Sequence, residues 1–70
     1  METDGFRDYL QALPEELLGQ VSEDYVWLAR LGFPEACAAE FLRRRECCRG
    51  ECLRRGRPNI YQSAEWAVAA

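Results

Sequence analysis

The chain has 70 residues, 49% of them hydrophobic and 30% charged, with four cysteines, no histidine and a net charge of −3. That length supports one small domain, and so much apolar content excludes a disordered acidic tail. No apolar run reaches the ~18 residues a membrane-spanning helix needs, and without histidine a thiol nucleophile has no imidazole base.

The opening "METDGFRD" is acidic where a signal peptide is basic and then apolar, so the expected location is cytoplasmic, with reduced thiols. Phe6, Tyr9, Leu10 and Leu13 fall at near-helical spacing and predict an N-terminal helix over 4–13, with Asp4 as its N-cap. Pro14 suits a helix start, and Glu15 and Glu16 follow where the helix dipole favours acids. Leu17, Leu18, Val21, Tyr25, Leu28 and Leu31 then form one stripe through 14–31. Gly19 and Ser22 are weak points in that segment, and Ser22 is able to cap a fresh helix. Val26 and Trp27 lie outside the stripe.

"RLGFPEA" marks the sharpest turn. Gly32 is expected in the left-handed conformation that ends a helix, and Pro34 in the first turn of the next. That second helix is predicted over 34–55, with Ala38, Phe41 and Leu42 inward beside Cys37 and Cys48. Gly50 is a candidate break, and Gly56 with Pro58 a firmer one. The segment 58–70 is expected as a tail or short helix capped by Ser63, packing Ile60, Trp66 and Val68 on the rest. The predicted fold is all-α, an antiparallel helical hairpin with short flanking helices. Two hairpin helices alone bury little, so a homodimer is expected.

The four cysteines do not space as a metal site. Cys37 and Cys47 stand ten residues apart on one predicted helix, hence about 15 Å apart, and no tetrahedral zinc reaches both. No metal and no cofactor is expected. Cys37, Cys48 and Cys52 read as small apolar residues on the inward stripe. Cys47 projects away from it, reacts most readily, and is close enough in sequence to bridge to Cys52 on oxidation.

The segment "RRRECCRGECLRRGR", 43–57, holds seven of the nine arginines and only Glu46 and Glu51 as acids, a net of +5, whereas 1–42 carries nine acids and two arginines, a net of −7. The basic part is expected to fold onto the acidic part, fixing register more than stability. "DYVWLARLGFPEACAAEFLRR" resembles the outline of a DNA-reading helix-turn-helix. It departs in carrying Leu28 where a small residue is usual, and Glu35 and Glu40 where phosphates would be met. "LGF", "FL" and "AEW" also resemble parts of the ubiquitin-associated domain, but the interval after Leu42 is too long for it.

No phosphate loop, paired carboxylates or activated serine is present, so an enzyme is not expected. The expected function is a non-catalytic protein-binding regulator, an inhibitor, that occupies the surface of another protein. The analogy is to small proteins of phages and mobile elements that act on host transcription factors, defence complexes or motor ATPases. The alternative is a small DNA-binding transcriptional regulator using 43–57. The expected contact residues are Trp27 and Val26 off the stripe, with Glu40, Arg43 and Arg44 on the second hairpin helix; an exposed tryptophan is the kind of anchor that dominates interfaces.

Overall fold

A computed structural model of the chain describes residues 2–69, and side chains from Gly5 onward. It is all-α, with four helices and no strand among the described residues: α1 (Glu2–Ala12), α2 (Glu15–Arg30), α3 (Glu35–Arg54) and α4 (Pro58–Ala69). The prolines and one glycine set the boundaries. Pro14 and Pro34 stand in extended conformation just before α2 and α3, and each offers its carbonyl to the first helical bond, to Leu18 N and Ala38 N at 2.9 Å. Acids follow both, Glu15 and Glu16 in α2 and Glu35 in α3, against the positive end of the dipole.

α3 ends in a Schellman motif. Gly56 has φ +70°, its N–H donates to Leu53 O (2.9 Å), and Arg57 N–H donates to Cys52 O (2.8 Å). Pro58 then opens α4, where its missing N–H costs nothing.

Several expectations change. The helix start at Asp4 gives way to one at Glu2, and the Asp4 side chain lies outside the described residues. Gly32 does not take a left-handed conformation; α2 closes on Leu31 in extended conformation, and Gly56 alone has positive φ among the described residues. Neither Ser22 nor Gly50 interrupts its helix, and α4 begins five residues before Ser63.

α2 packs on both α3 and α4, and this sets which of its residues are buried. Two neighbours bury a wider arc than a single stripe provides, and the arc centres on Leu18, Ser22 and Val26. Leu17 and Leu31, expected inward, are exposed. Tyr25 meets Phe41 and Arg44, while Ser22 lies beside Cys48 and Cys52 further along α3. Against α4 the order runs the same way along both helices: Glu15 pairs with Arg57, Gly19 meets Ile60 and Arg30 reaches Val68. The core is Leu10, Leu18, Val26, Cys48, Cys52, Tyr61 and Ala64, with Ser22 and Glu51 as its buried polar members.

α1 is tied to α3 by one arginine. Arg55 Nη2 donates to Leu10 O (2.9 Å), which also accepts from Leu13 N (3.1 Å), and to Leu13 O (2.7 Å) just past the end of α1, while its Nε donates to Glu51. The chain exposes 4684 Å², close to the roughly 4,500 Å² expected of a compact chain of this mass. Total burial is thus ordinary for one copy.

Candidate interaction surface

The sequence-predicted contact residues separate into two groups. Val26 is 4% exposed and belongs to the core, so its place as a contact residue is corrected. The cause is the second neighbour of α2, which extends the buried arc past Tyr25. Trp27, the next residue, points away from both neighbours and is 52% exposed. With Asp24, Tyr25 and Leu28 it lines a shallow hollow of 310 Å³.

Glu40, Arg43 and Arg44 do come together. Arg43 Nη2 and Arg44 Nε both lie 2.8 Å from the Glu40 carboxylate. Arg44 Nη1 also donates to the Tyr25 hydroxyl at 3.0 Å, and its guanidinium lies 5.1 Å from the Phe6 ring centre and 5.9 Å from that of Tyr25. The Tyr25 hydrogen bond foremost, then Glu40 against a desolvation cost, raises the Arg44 pKa above its ordinary value. Around this cation runs a chain of rings: Phe6 edge-on to Tyr25 at 5.3 Å, Tyr25 to Phe41 at 6.4 Å, and Phe41 to Phe33 at 5.1 Å. Tyr25 therefore joins the Arg44 cluster to the hollow beside Trp27.

Four more arginines of 43–57 are neutralised close by. Arg49 lies 3.5 Å from Glu46, Arg54 and Arg55 share Glu51 at 2.7 and 2.6 Å, and Arg57 lies 3.0 Å from Glu15. Arg49–Glu46 and Arg54–Glu51 lie within α3, and Arg55 follows its last residue. Arg57–Glu15 joins the basic part to the acidic part across two segments, as the folding of one half onto the other requires. Arg45 is half-buried with its Nε unpartnered. The Glu51 carboxyl is held down to about 2 by its hydrogen bonds to Arg54 and, against desolvation, to Arg55.

The cysteines divide otherwise than expected. Cys48 and Cys52 are buried, and burial pushes the Cys48 thiol up to about 12. Ser22 Oγ lies beside both thiols without a hydrogen bond of ordinary geometry. Cys37, expected inward, is exposed, because the first turns of α3 run beyond the helices that cover its later turns. Cys47, expected to project outward, is half-buried and packed against the core. Among the described residues no group of three or more metal-ligating side chains converges, and no helix is long and apolar enough to cross a membrane.

Sequence reasoning misses Trp66. Expected to pack inward, it is 77% exposed and lines a second hollow of 300 Å³ with Gln62, Glu65 and Ala69. The inward line of α4 is Tyr61, Ala64 and Val68, at i, i+3 and i+7, and that spacing carries the signal that Trp66 faces out. Comparison of the chain with family models, with curated proteins and with solved structures returns no match.

Proposed function

We propose that the chain is a non-catalytic protein-binding regulator that occupies the surface of a larger protein and inhibits it, with Trp27 as the central contact. The observation that carries this reading is a tryptophan half out in water on the outer face of a 16-residue helix, beside a hollow and a fixed cation. Tryptophan and arginine are the residues most enriched where interfaces hold their energy, and an anchor already fixed by its helix loses little entropy on binding. Leu31 and Phe33, both exposed, extend the apolar surface from Trp27 toward the Phe41 ring.

The test is Trp27→Ala, with a pull-down from the native host's lysate read by mass spectrometry. The variant is expected to keep its helical circular dichroism and to stay within about 0.5 kcal/mol of the parent in stability. It is expected to lose a protein that the parent retains. Unfolding of the variant, or retention of the same protein, would remove Trp27 from the interface.

The homodimer reading rests on Trp66, since total burial gives it no support. Two copies related by a two-fold axis can each seat Trp66 in the hollow beside the other's, which removes the most exposed aromatic side chain from water. The α2–α3 hairpin is then the arm that carries Trp27 away from the dimer contact. Sedimentation and a melt series over concentration check this. The parent is expected to sediment as a dimer with a melting temperature that rises with concentration, and Trp66→Ala as a monomer without that rise. A parent that sediments as a monomer at all concentrations would end the dimer reading.

DNA binding through 43–57 is the weaker reading. Six of the seven arginines there already face a carboxylate, and phosphate contacts would have to displace those partners.

A further inference from the structure

α2 turns one face to the core and the opposite face to water. Leu17, Gln20, Asp24 and Trp27 lie along that outer face, all exposed, and Leu31, which closes the helix, continues the line. Successive members stand three and four residues apart in alternation, the spacing of the seam that one helix offers another in side-by-side packing. Its large apolar members are open, with Leu17 50% and Trp27 52% exposed. The 310 Å³ hollow beside Trp27, with Asp24 on its wall, leaves space for a side chain of whatever covers the seam.

The charges on this face have one sign. Glu16 and Glu23 stand just before Leu17 and Asp24 and flank the seam, and none of Glu16, Glu23 and Asp24 makes an ion pair with a described residue. α3 is built the other way. Its Glu40, Glu46 and Glu51 each have an arginine three or four residues on and are bonded to it, whereas no acid of α2 has a base at either spacing. Arg30, the one base of α2, reaches instead to Val68 O on α4 (3.1 Å). Arg44, which meets the Tyr25 hydroxyl, is matched by Glu40. Glu23 and Asp24, adjacent and beyond the first turn, gain nothing from the helix dipole. The fold gives these two acids no partner.

Such a seam is unsuited to its own copy, since two of them would bring the acids of both chains together with no base between them. A helix of opposite charge fits it. We propose that the outer face of α2 receives a basic amphipathic helix of the partner protein, with lysine or arginine opposite Asp24 and beside Glu16 and Glu23. This rests on the reading of Trp27 as the central contact. The apolar side of that helix covers Leu17, Trp27 and Leu31, and its cations gain partners without displacing any.

A displayed library of three-heptad peptides tests this, with leucine fixed at the seam positions and alanine, glutamine, lysine or glutamate free elsewhere. It is selected on the immobilised parent chain at low salt. The retained peptides are expected to carry lysine in clear excess over glutamate. Binding of the best of them is then measured in solution. Glu23→Gln combined with Asp24→Asn should weaken it about tenfold, the effect of two charges each ~6 Å from a cation in water, and 1 M salt should weaken the parent's binding likewise. The doubly substituted chain should keep the parent's melting temperature, since neither acid has a partner in the fold. Trp27→Ala should abolish the binding. Retention of no peptide, or of a pool as rich in glutamate as in lysine, would overturn the proposal. So would a doubly substituted chain that binds like the parent or melts below it. Peptides that need Trp27 but ignore charge would end this proposal and leave Trp27 as the anchor; basic peptides that bind Trp27→Ala as tightly as the parent would remove Trp27 from the interface.

Discussion

Glu51 shows at the level of one side chain how this fold uses its charges. It is buried, yet it keeps its ionised form because Arg54 meets it through two nitrogens, at 2.8 and 2.7 Å, and Arg55 through one, at 2.6 Å. Its pKa, about 2 against an ordinary 4.5, lies below the value in the unfolded chain. The stabilisation linked to it is therefore fully present above pH ~4.5 and is lost as pH falls through about 2. Denaturant midpoints of the parent are expected to drop steeply across that interval. Glu51→Gln should be less stable at neutral pH by about 2–3 kcal/mol and should lack this part of the acid dependence. A variant with the parent's acid profile would show that another carboxylate carries it. Val26 and Trp27 teach the complementary lesson, since adjacent residues divide between core and solvent according to which neighbours their helix has.

Among the helices, the legible features are those set by local chemistry. Pro14 and Pro34 with their following acids, and Gly56 with Pro58, act within a few residues of themselves, and the starts of α2, α3 and α4 fall beside them. The illegible ones depend on partners distant in sequence. The stripe Leu17, Val21, Tyr25 and Leu28 is a sound reading for a helix with one neighbour, but α4 adds a second, and Ser22 moves to the centre because a small residue lets the α3 thiols close in. Trp66 faces out for a like reason: the inward line of α4, Tyr61, Ala64 and Val68, follows from where α2 and α3 lie. For the candidate surface, the place of Trp27 off the apolar stripe is legible in the spacing, while the gathering of Arg44 with Glu40 and Tyr25 is not, since Arg44 and Tyr25 stand 19 residues apart.

Two glycines, one within α3 and one just past its end, turn this distinction into a measurement. Gly50 lies in mid-helix, and a Cβ there would meet nothing within 4 Å. Gly56 has φ +70° and closes the Schellman turn. The same substitution should therefore have opposite signs: Gly50→Ala is expected to stabilise by about 0.5–1 kcal/mol, and Gly56→Ala to destabilise by about 1 kcal/mol. Equilibrium urea unfolding of the pair reads both. Equal signs would mean that the end of α3 is not held as described.

At the scale of the whole molecule the limiting quantity is thickness. The Cα atoms extend 34 × 32 × 15 Å, so the core is a single sheet of side chains between two wet faces. Three of its groups are weak acids kept neutral by burial: Cys48 and Tyr61, each pushed up to about 12, and Cys52, also raised. Desolvation is the leading cause in all three. Folded pKa values above the unfolded ones mean that this stabilisation is complete below pH ~9 and is lost as pH rises toward about 12. The chain is expected to unfold at the alkaline edge in one cooperative step, with Tyr61 ionisation, isolated as the difference between the titrations of the parent and of Tyr61→Phe, sharing its midpoint with the parent's loss of helical circular dichroism. A difference signal well below that helical midpoint would place Tyr61 outside the core.

The bridge from Arg55 to α1 bears on the order in which the molecule is made. The two carbonyls that Arg55 reaches, at Leu10 and Leu13, precede it by 45 and 42 residues. Translation at about 5–20 residues per second separates their synthesis by roughly 2–9 s. During that interval α1 exists without its anchor, and α2 without the α4 surface that covers Gly19. An eleven-residue helix is marginal on its own in water. The nascent chain thus has no stable half to complete first, and its apolar side chains stay open to chaperones until the last helix has emerged.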